Sequence, residues 1–144
     1  MASKISSEEK QYLWEHFIFN AEQRLKAFNF FVVFAIFANG GVFAAVKNES
    51  SNVVFLLIGI FISVLSITFW LIDKRSAYLL NLAKPGLQSY EQNFSPDGRL
   101  FIRDEAERHP IARFTVAFRI LFGLEFVFGA GVMLYALVSA YCAS

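Results

Sequence analysis

The sequence predicts an all-α integral membrane fold with three transmembrane helices, a cytoplasmic N-terminal stalk helix and a cytoplasmic loop between spans two and three. Two observations carry this. Residues 28–46 and 53–72 contain no charged side chain, and residues 120–143 contain one, Glu125. At about 1.5 Å per residue these runs reach roughly 28–36 Å, against a hydrocarbon core of about 30 Å. Composition agrees: only 17% of the 144 residues are charged and 18 are Phe, where a soluble domain is about 25% charged. The lone Cys142 excludes a disulfide scaffold, and 13 Lys+Arg against 12 Asp+Glu excludes a basic nucleic-acid-coating protein. The chain reads as one membrane domain, 1–144: a stalk at 1–27, spans at about 28–46, 53–72 and 114–143, and a loop at 73–113.

The stalk opens with Ser6-Ser7-Glu8-Glu9, the pattern of a capping box. No Gly or Pro interrupts the chain from there to Asn39, so a single helix of about 40 residues, roughly 60 Å, is expected to run into the first span. That span starts too late and is too long for a signal peptide. Within the stalk, Trp14, Ile18, Ala21, Leu25 and Phe28 follow a 4-3-4-3 heptad seam, continued in register to Asn39. Glu8, Glu15 and Glu22 form an acidic stripe, and Tyr12 and Phe19 lie on roughly the opposite face from the seam. The seam suits either a contact between subunits or packing on the chain's own cytoplasmic loop.

In span two, Gly59, Ser63, Ser66 and Trp70 share a face. Small and hydroxyl residues at this spacing allow close helix contact, which makes Gly59, Ser63 and Ser66 oligomer-seam candidates beside Trp14, Ile18 and Leu25. The helix is expected to continue to Ala83 and stop at Lys84-Pro85-Gly86. Leu87 to Phe94 then reads as a short amphipathic turn, Ser95-Pro96-Asp97-Gly98 as a turn, and residues 100–109 as a charged, solvated stretch. Pro110 suits the first position of the last helix.

Orientation follows from the basic residues. Twelve of the thirteen fall on one side if the N-terminus is cytoplasmic, and Lys47 alone falls on the other. The expected location is the inner (plasma) membrane, multi-pass, with the N-terminus inside and the C-terminus outside.

No Gly-rich phosphate loop, nucleophile elbow or metal-ligand cluster occurs in the sequence. No enzyme activity, metal or cofactor is therefore expected. Glu125 is the strongest single clue, because an intramembrane carboxylate faces a bundle interior or water. It reads as a pore-lining or gating group, or else as a structural hydrogen-bonding group partnered by Asn39 at similar depth. Phe114, Phe118, Phe122 and Phe126 form an i,i+4 ladder, which suits packing or a hydrophobic constriction that gates by dewetting. Pore or gating candidates are thus Glu125, Asn39, Phe118 and Phe122. Among the loop cations, Arg99, Arg103, Arg108 and Arg113 could hold phosphates beside nearby aromatics, although the topology bias alone accounts for them.

Two stretches carry a resemblance. Ala21-Glu22-Gln23-Arg24-Leu25-Lys26-Ala27-Phe28-Asn29-Phe30-Phe31 leads a charged stalk into a Phe-rich span, and His109-Pro110 precedes Arg113 and Phe118-Arg119-Ile120-Leu121-Phe122-Gly123. This layout resembles the small multi-span membrane effectors of bacterial anti-phage operons, such as those of Hailong systems, some retrons and type VI CRISPR loci. The resemblance implies an oligomer that permeabilises or depolarises the inner membrane in abortive infection. Its trigger would be a cytoplasmic protein or a nucleotide or oligonucleotide signal. Three spans enclose no water-filled path alone, so a channel requires a homo-oligomer in the bilayer. Two other readings stand beside it: a non-conducting anchor or accessory subunit for a soluble partner, and a membrane-tethered ribonuclease. The last rests on Arg103 and His109, whose spacing resembles the Arg-then-His signature of HEPN-type ribonucleases.

Overall fold

The computed structural model describes residues 6–106 and 114–142, and among these every regular element is a helix. Helix α1 runs without a break over Ser7–Lys47, joining stalk and first span. The predicted capping box is present. Ser6 Oγ accepts from the Glu9 N–H at 3.1 Å, and Glu9 Oε2 accepts from the Ser6 N–H at 2.8 Å. Two of the free N–H groups at that end are satisfied reciprocally. At the other end Glu49 takes the left-handed conformation, φ 49°, and the chain reverses within residues 48–51 into α2, Asn52–Glu91.

The expected stop at Lys84-Pro85-Gly86 does not occur, and 87–94 is not a separate turn. α2 continues through Pro85 to Glu91. Proline removes one backbone hydrogen bond, and tertiary contacts outweigh that loss. Ala83, Leu87 and Glu91 are buried on one face, and Gly86 sits so close to α1 that a Cβ there would lie 2.5 Å from Leu13 Cδ1. The Glu91 carboxylate then accepts from the Phe101 and Ile102 N–H groups at 2.9 and 3.2 Å, satisfying the first turn of α3, Leu100–Ala106. The stretch expected to be merely solvated is therefore partly helical. Between α2 and α3, Pro96–Gly98 makes the expected turn as a single 3-10 turn. Helix α4 spans Phe114–Cys142, and Pro110 lies outside the described residues.

Three helices are long and apolar enough to cross a membrane: Ser7–Lys47, Asn52–Glu91 and Thr115–Cys142. α2 packs against both others. Its crossing with α4 centres on two glycines. A Cβ on Gly59 would lie 2.8 Å from the Gly129 carbonyl oxygen, and one on Gly129 would lie 2.8 Å from Ile62 Cγ2 and Ser63 Oγ. Lipid tails are as apolar as the helices, so association within a bilayer depends on such close packing and on interhelical polar contacts. Near the α1–α2 connection the core is built from small and branched residues, including Ala38, Val42, Ile62 and Ala136. Toward the other end it is aromatic, around Phe31, Phe118 and Phe122.

Candidate functional site

Polar side chains join α1 to α4 at two levels, with an aromatic layer adjoining the first. At the edge of the uncharged runs, Arg24 on α1 meets Asp73, the first residue after span two. Arg24 Nε lies 2.6 Å from Asp73 Oδ1, and its terminal nitrogen donates to Thr115 Oγ1 of α4 at 2.9 Å. One guanidinium therefore ties three helices together, with its face 5.3 Å from the Phe118 ring centroid. Phe28 stacks on Phe118 at 3.9 Å, and Phe31 meets Phe122 edge-on at 4.6 Å.

Ten residues along α4 from Thr115, about 15 Å at helical rise, lies Glu125. It is 9% exposed. Asn39 Nδ2 donates to Glu125 Oε2 at 3.3 Å, at the long end for such a bond. The other oxygens of the pair, Glu125 Oε1 and Asn39 Oδ1, are buried without a hydrogen-bond partner. With the carboxyl group ionised both are acceptors and cannot satisfy each other. A buried acceptor left bare carries a desolvation penalty of about 1–3 kcal/mol, which makes this junction a place suited to a donor or a cation. The structural partner anticipated for Glu125 is thus the residue that the structure supplies.

The other candidates separate. Phe118 and Phe122 are buried against Phe28 and Phe31 of their own chain. Their spacing suits intrachain packing because α1 offers its own aromatics at the same level. Gly59, Ser63 and Ser66 do not form a face for a second subunit. They are turned inward, where Ser63 Oγ donates to the Gly59 carbonyl at 2.9 Å and contacts Met133 Sδ at 3.8 Å, and Ser66 is 1% exposed. The short approach of α2 to α4 uses up that face. Ile18 and Leu25, by contrast, remain exposed, because α1 turns Leu13, Phe17, Asn20 and Arg24 inward instead. Trp14 is partly exposed and meets Phe101 of α3 edge-on at 6.3 Å, so this end of the seam does pack on the chain's own loop.

The arginine ligand candidates are not gathered into one site among the described residues. Arg99 directs its guanidinium to the Phe94 and Gln92 carbonyls, each at 3.0 Å, and so caps the end of α2. Arg103 is exposed on α3. Arg108 and Arg113 lie outside the described residues, as does His109 of the ribonuclease reading.

Sequence reasoning missed the junction of Arg24, Asp73 and Thr115. A signal existed: opposite charges stand a few residues before one uncharged run and immediately after the next, which places them at similar depth in an antiparallel pair.

CD-NTase-associated protein 19 of Escherichia coli is 28% identical to this chain over 102 residues, covering 69% of this chain and 68% of the relative. No protein-family model matches the chain, and no solved structure matches it.

Proposed function

We propose that this protein is an oligomeric inner-membrane channel or pore-forming effector of anti-phage defence, opened by a cytoplasmic partner or nucleotide signal. The observation that carries the reading is Glu125. A carboxylate nine-tenths buried between two apolar spans, with one oxygen unpartnered, belongs beside water or an ion path rather than in a passive anchor. Three helices are too few to surround such a path, so several copies contribute to it. The relative's name ties it to a CD-NTase. That association supports the defence setting and a nucleotide-linked trigger. In this reading the chain conducts and does not catalyse, its N-terminus faces the cytoplasm and its C-terminus the exterior.

Conductance of the purified protein in a planar bilayer tests the reading, before and after addition of oligonucleotides. Discrete openings are expected, with amplitude or selectivity altered in Glu125→Gln. A silent protein of oligomeric mass would favour the alternative of a non-conducting anchor. Orientation is checked separately on Cys142, the single cysteine of the chain. A membrane-impermeant thiol reagent should label it from outside intact spheroplasts.

A further inference from the structure

The exposed apolar seam of the stalk has a match on the same molecule, on a different helix. Along α2 beyond the second span, Leu71, Arg75, Tyr78, Leu82 and Pro85 follow the same 4-3-4-3 spacing as the α1 seam. Leu71, Tyr78 and Leu82 are 61%, 54% and 55% exposed, against 44%, 37% and 57% for Trp14, Ile18 and Leu25. This α2 stripe lies opposite the face that holds Asp73, Leu80, Ala83 and Leu87 against the rest of the chain. Beyond Leu71 it lies outside the uncharged runs, among charged residues, so lipid tails do not account for it.

We infer that these two stripes bind each other between neighbouring copies, α1 of one subunit against the cytoplasmic half of α2 of the next, in a head-to-tail ring. The inference rests on the oligomeric reading above and adds which surfaces make the contact. Three intrachain contacts fix the levels of the two antiparallel helices: Arg24 with Asp73, Leu13 with Gly86 and Lys10 with Tyr90. A ring axis along the membrane normal preserves those levels from copy to copy. Leu25 of one subunit then meets the turn of Leu71 and Arg75 in its neighbour, and Ile18 meets Tyr78 and Leu82.

Charge supports the same pairing. The α1 seam is bordered by Glu8, Glu15 and Glu22, all exposed; the α2 stripe includes exposed Arg75, 5.8 Å from the Tyr78 ring centroid, and is bordered by exposed Lys74. Glu22 stands two residues before Arg24 and Arg75 two residues after Asp73, which brings the two charges to one level. On α1 itself Arg24 and Lys10 are engaged with Asp73 and Tyr90 of their own chain, and exposed Lys26 lies 3.6 Å from Glu22. Two different surfaces, one donated and one accepted per subunit, generate a closed ring or an open chain when the rotation between copies is not two-fold.

Cysteine cross-linking in a Cys142→Ser background tests the pairing, with detergent mass measured on every variant. Chains carrying both Ile18→Cys and Tyr78→Cys should give, on oxidation, a ladder extending beyond the dimer. Each single-cysteine chain alone should give no cross-link, and a mixture of the two should give dimers. Arg75→Glu should reduce the oligomeric fraction, and adding Glu22→Arg should restore it. Dimers from Ile18→Cys alone would overturn the head-to-tail arrangement. An oligomeric mass with no cross-link in any combination would also overturn it while leaving the oligomer standing. A monomeric mass for the unsubstituted chain would overturn both.

Discussion

At the edge of the bundle, Arg24 meets Asp73 at 2.6 Å and Thr115 at 2.9 Å. Along the same helix, Asn39 meets Glu125 at 3.3 Å with a neutral amide. Each junction links α1 to another helix through a buried carboxylate, and each leaves one carboxylate oxygen without a partner. The difference lies in compensation. Asp73 has a full counter-charge in hydrogen-bonding contact, whereas the partner the structure gives Glu125 carries no charge. The first junction therefore has the chemistry of a clasp that holds the bundle. The second has the chemistry of a site that remains open to an additional donor or cation.

The largest expected effect comes from breaking the clasp. Asp73→Ala leaves the Arg24 guanidinium buried, with its side chain 13% exposed, and removing one partner of a buried pair costs about 3–5 kcal/mol. Thermal or denaturant unfolding in detergent should show a loss of this size. Replacing both residues, Arg24→Met with Asp73→Leu, should recover most of it, since an apolar pair avoids the uncompensated charge. If the single variants melt like the parent, Arg24 and Asp73 do not form the clasp and the contrast between the two junctions fails.

A smaller loss is expected at the crossing of α2 with α4, one turn from Glu125. Gly129→Ala places a methyl 2.8 Å from Ile62 Cγ2 and Ser63 Oγ and 3.0 Å from the Gly59 carbonyl oxygen. Overpacking of this kind costs about 1–3 kcal/mol. At Gly123 and Gly131 on the same helix an added methyl would meet nothing within 4 Å, and alanine there should be neutral or stabilising by up to about 1 kcal/mol. Melting of the three variants side by side tests whether close approach at Gly129, and not glycine content, sets the position of Glu125. Equal effects at all three would dissociate the crossing from the junction.

Much of this architecture is legible in the sequence where periodicity and composition act alone. Two uncharged runs and one with a single charge, each long enough to cross a bilayer, identify three helices, Ser6 and Glu9 identify the start of α1, and the depth of Asn39 and Glu125 suggests their meeting. Where two surfaces compete for one partner, the pattern is ambiguous. Gly59, Ser63 and Ser66 suit any close neighbour, and only the fold reveals that α4 of the same chain takes that place. Likewise the apolar seam of Trp14, Ile18 and Leu25 has the spacing of a face to bury, yet the chain turns Arg24 inward because Asp73 and Thr115 wait there, and buried Asn20 bonds back to the His16 carbonyl. Pro85 misleads for a related reason. A local helix breaker is overruled by Leu13, Glu91 and the first turn of α3, all remote in sequence or unreadable as partners from spacing.

The smallest expected change in stability is also the sharpest test of the contrast. Glu125→Gln removes the charge and keeps the shape. Its amide oxygen can accept from Asn39 Nδ2 as Glu125 Oε2 does, and its amide nitrogen offers a donor where Oε1 has no partner. Asn39 Oδ1, an acceptor without a donor, is the natural recipient. The substitution replaces one bare acceptor by a donor and offers it to the other, so stability should be unchanged or raised by up to about 1 kcal/mol. Glu125→Leu, which abandons Asn39 altogether, should lose about 1–3 kcal/mol. Conductance separates the two junctions most clearly. In the Gln variant it should change although the bundle is no weaker, whereas a clasp variant that still assembles should lose stability first. A Gln variant that assembles normally and conducts like the parent would make Glu125 a second structural junction, alike in kind to Arg24 and Asp73.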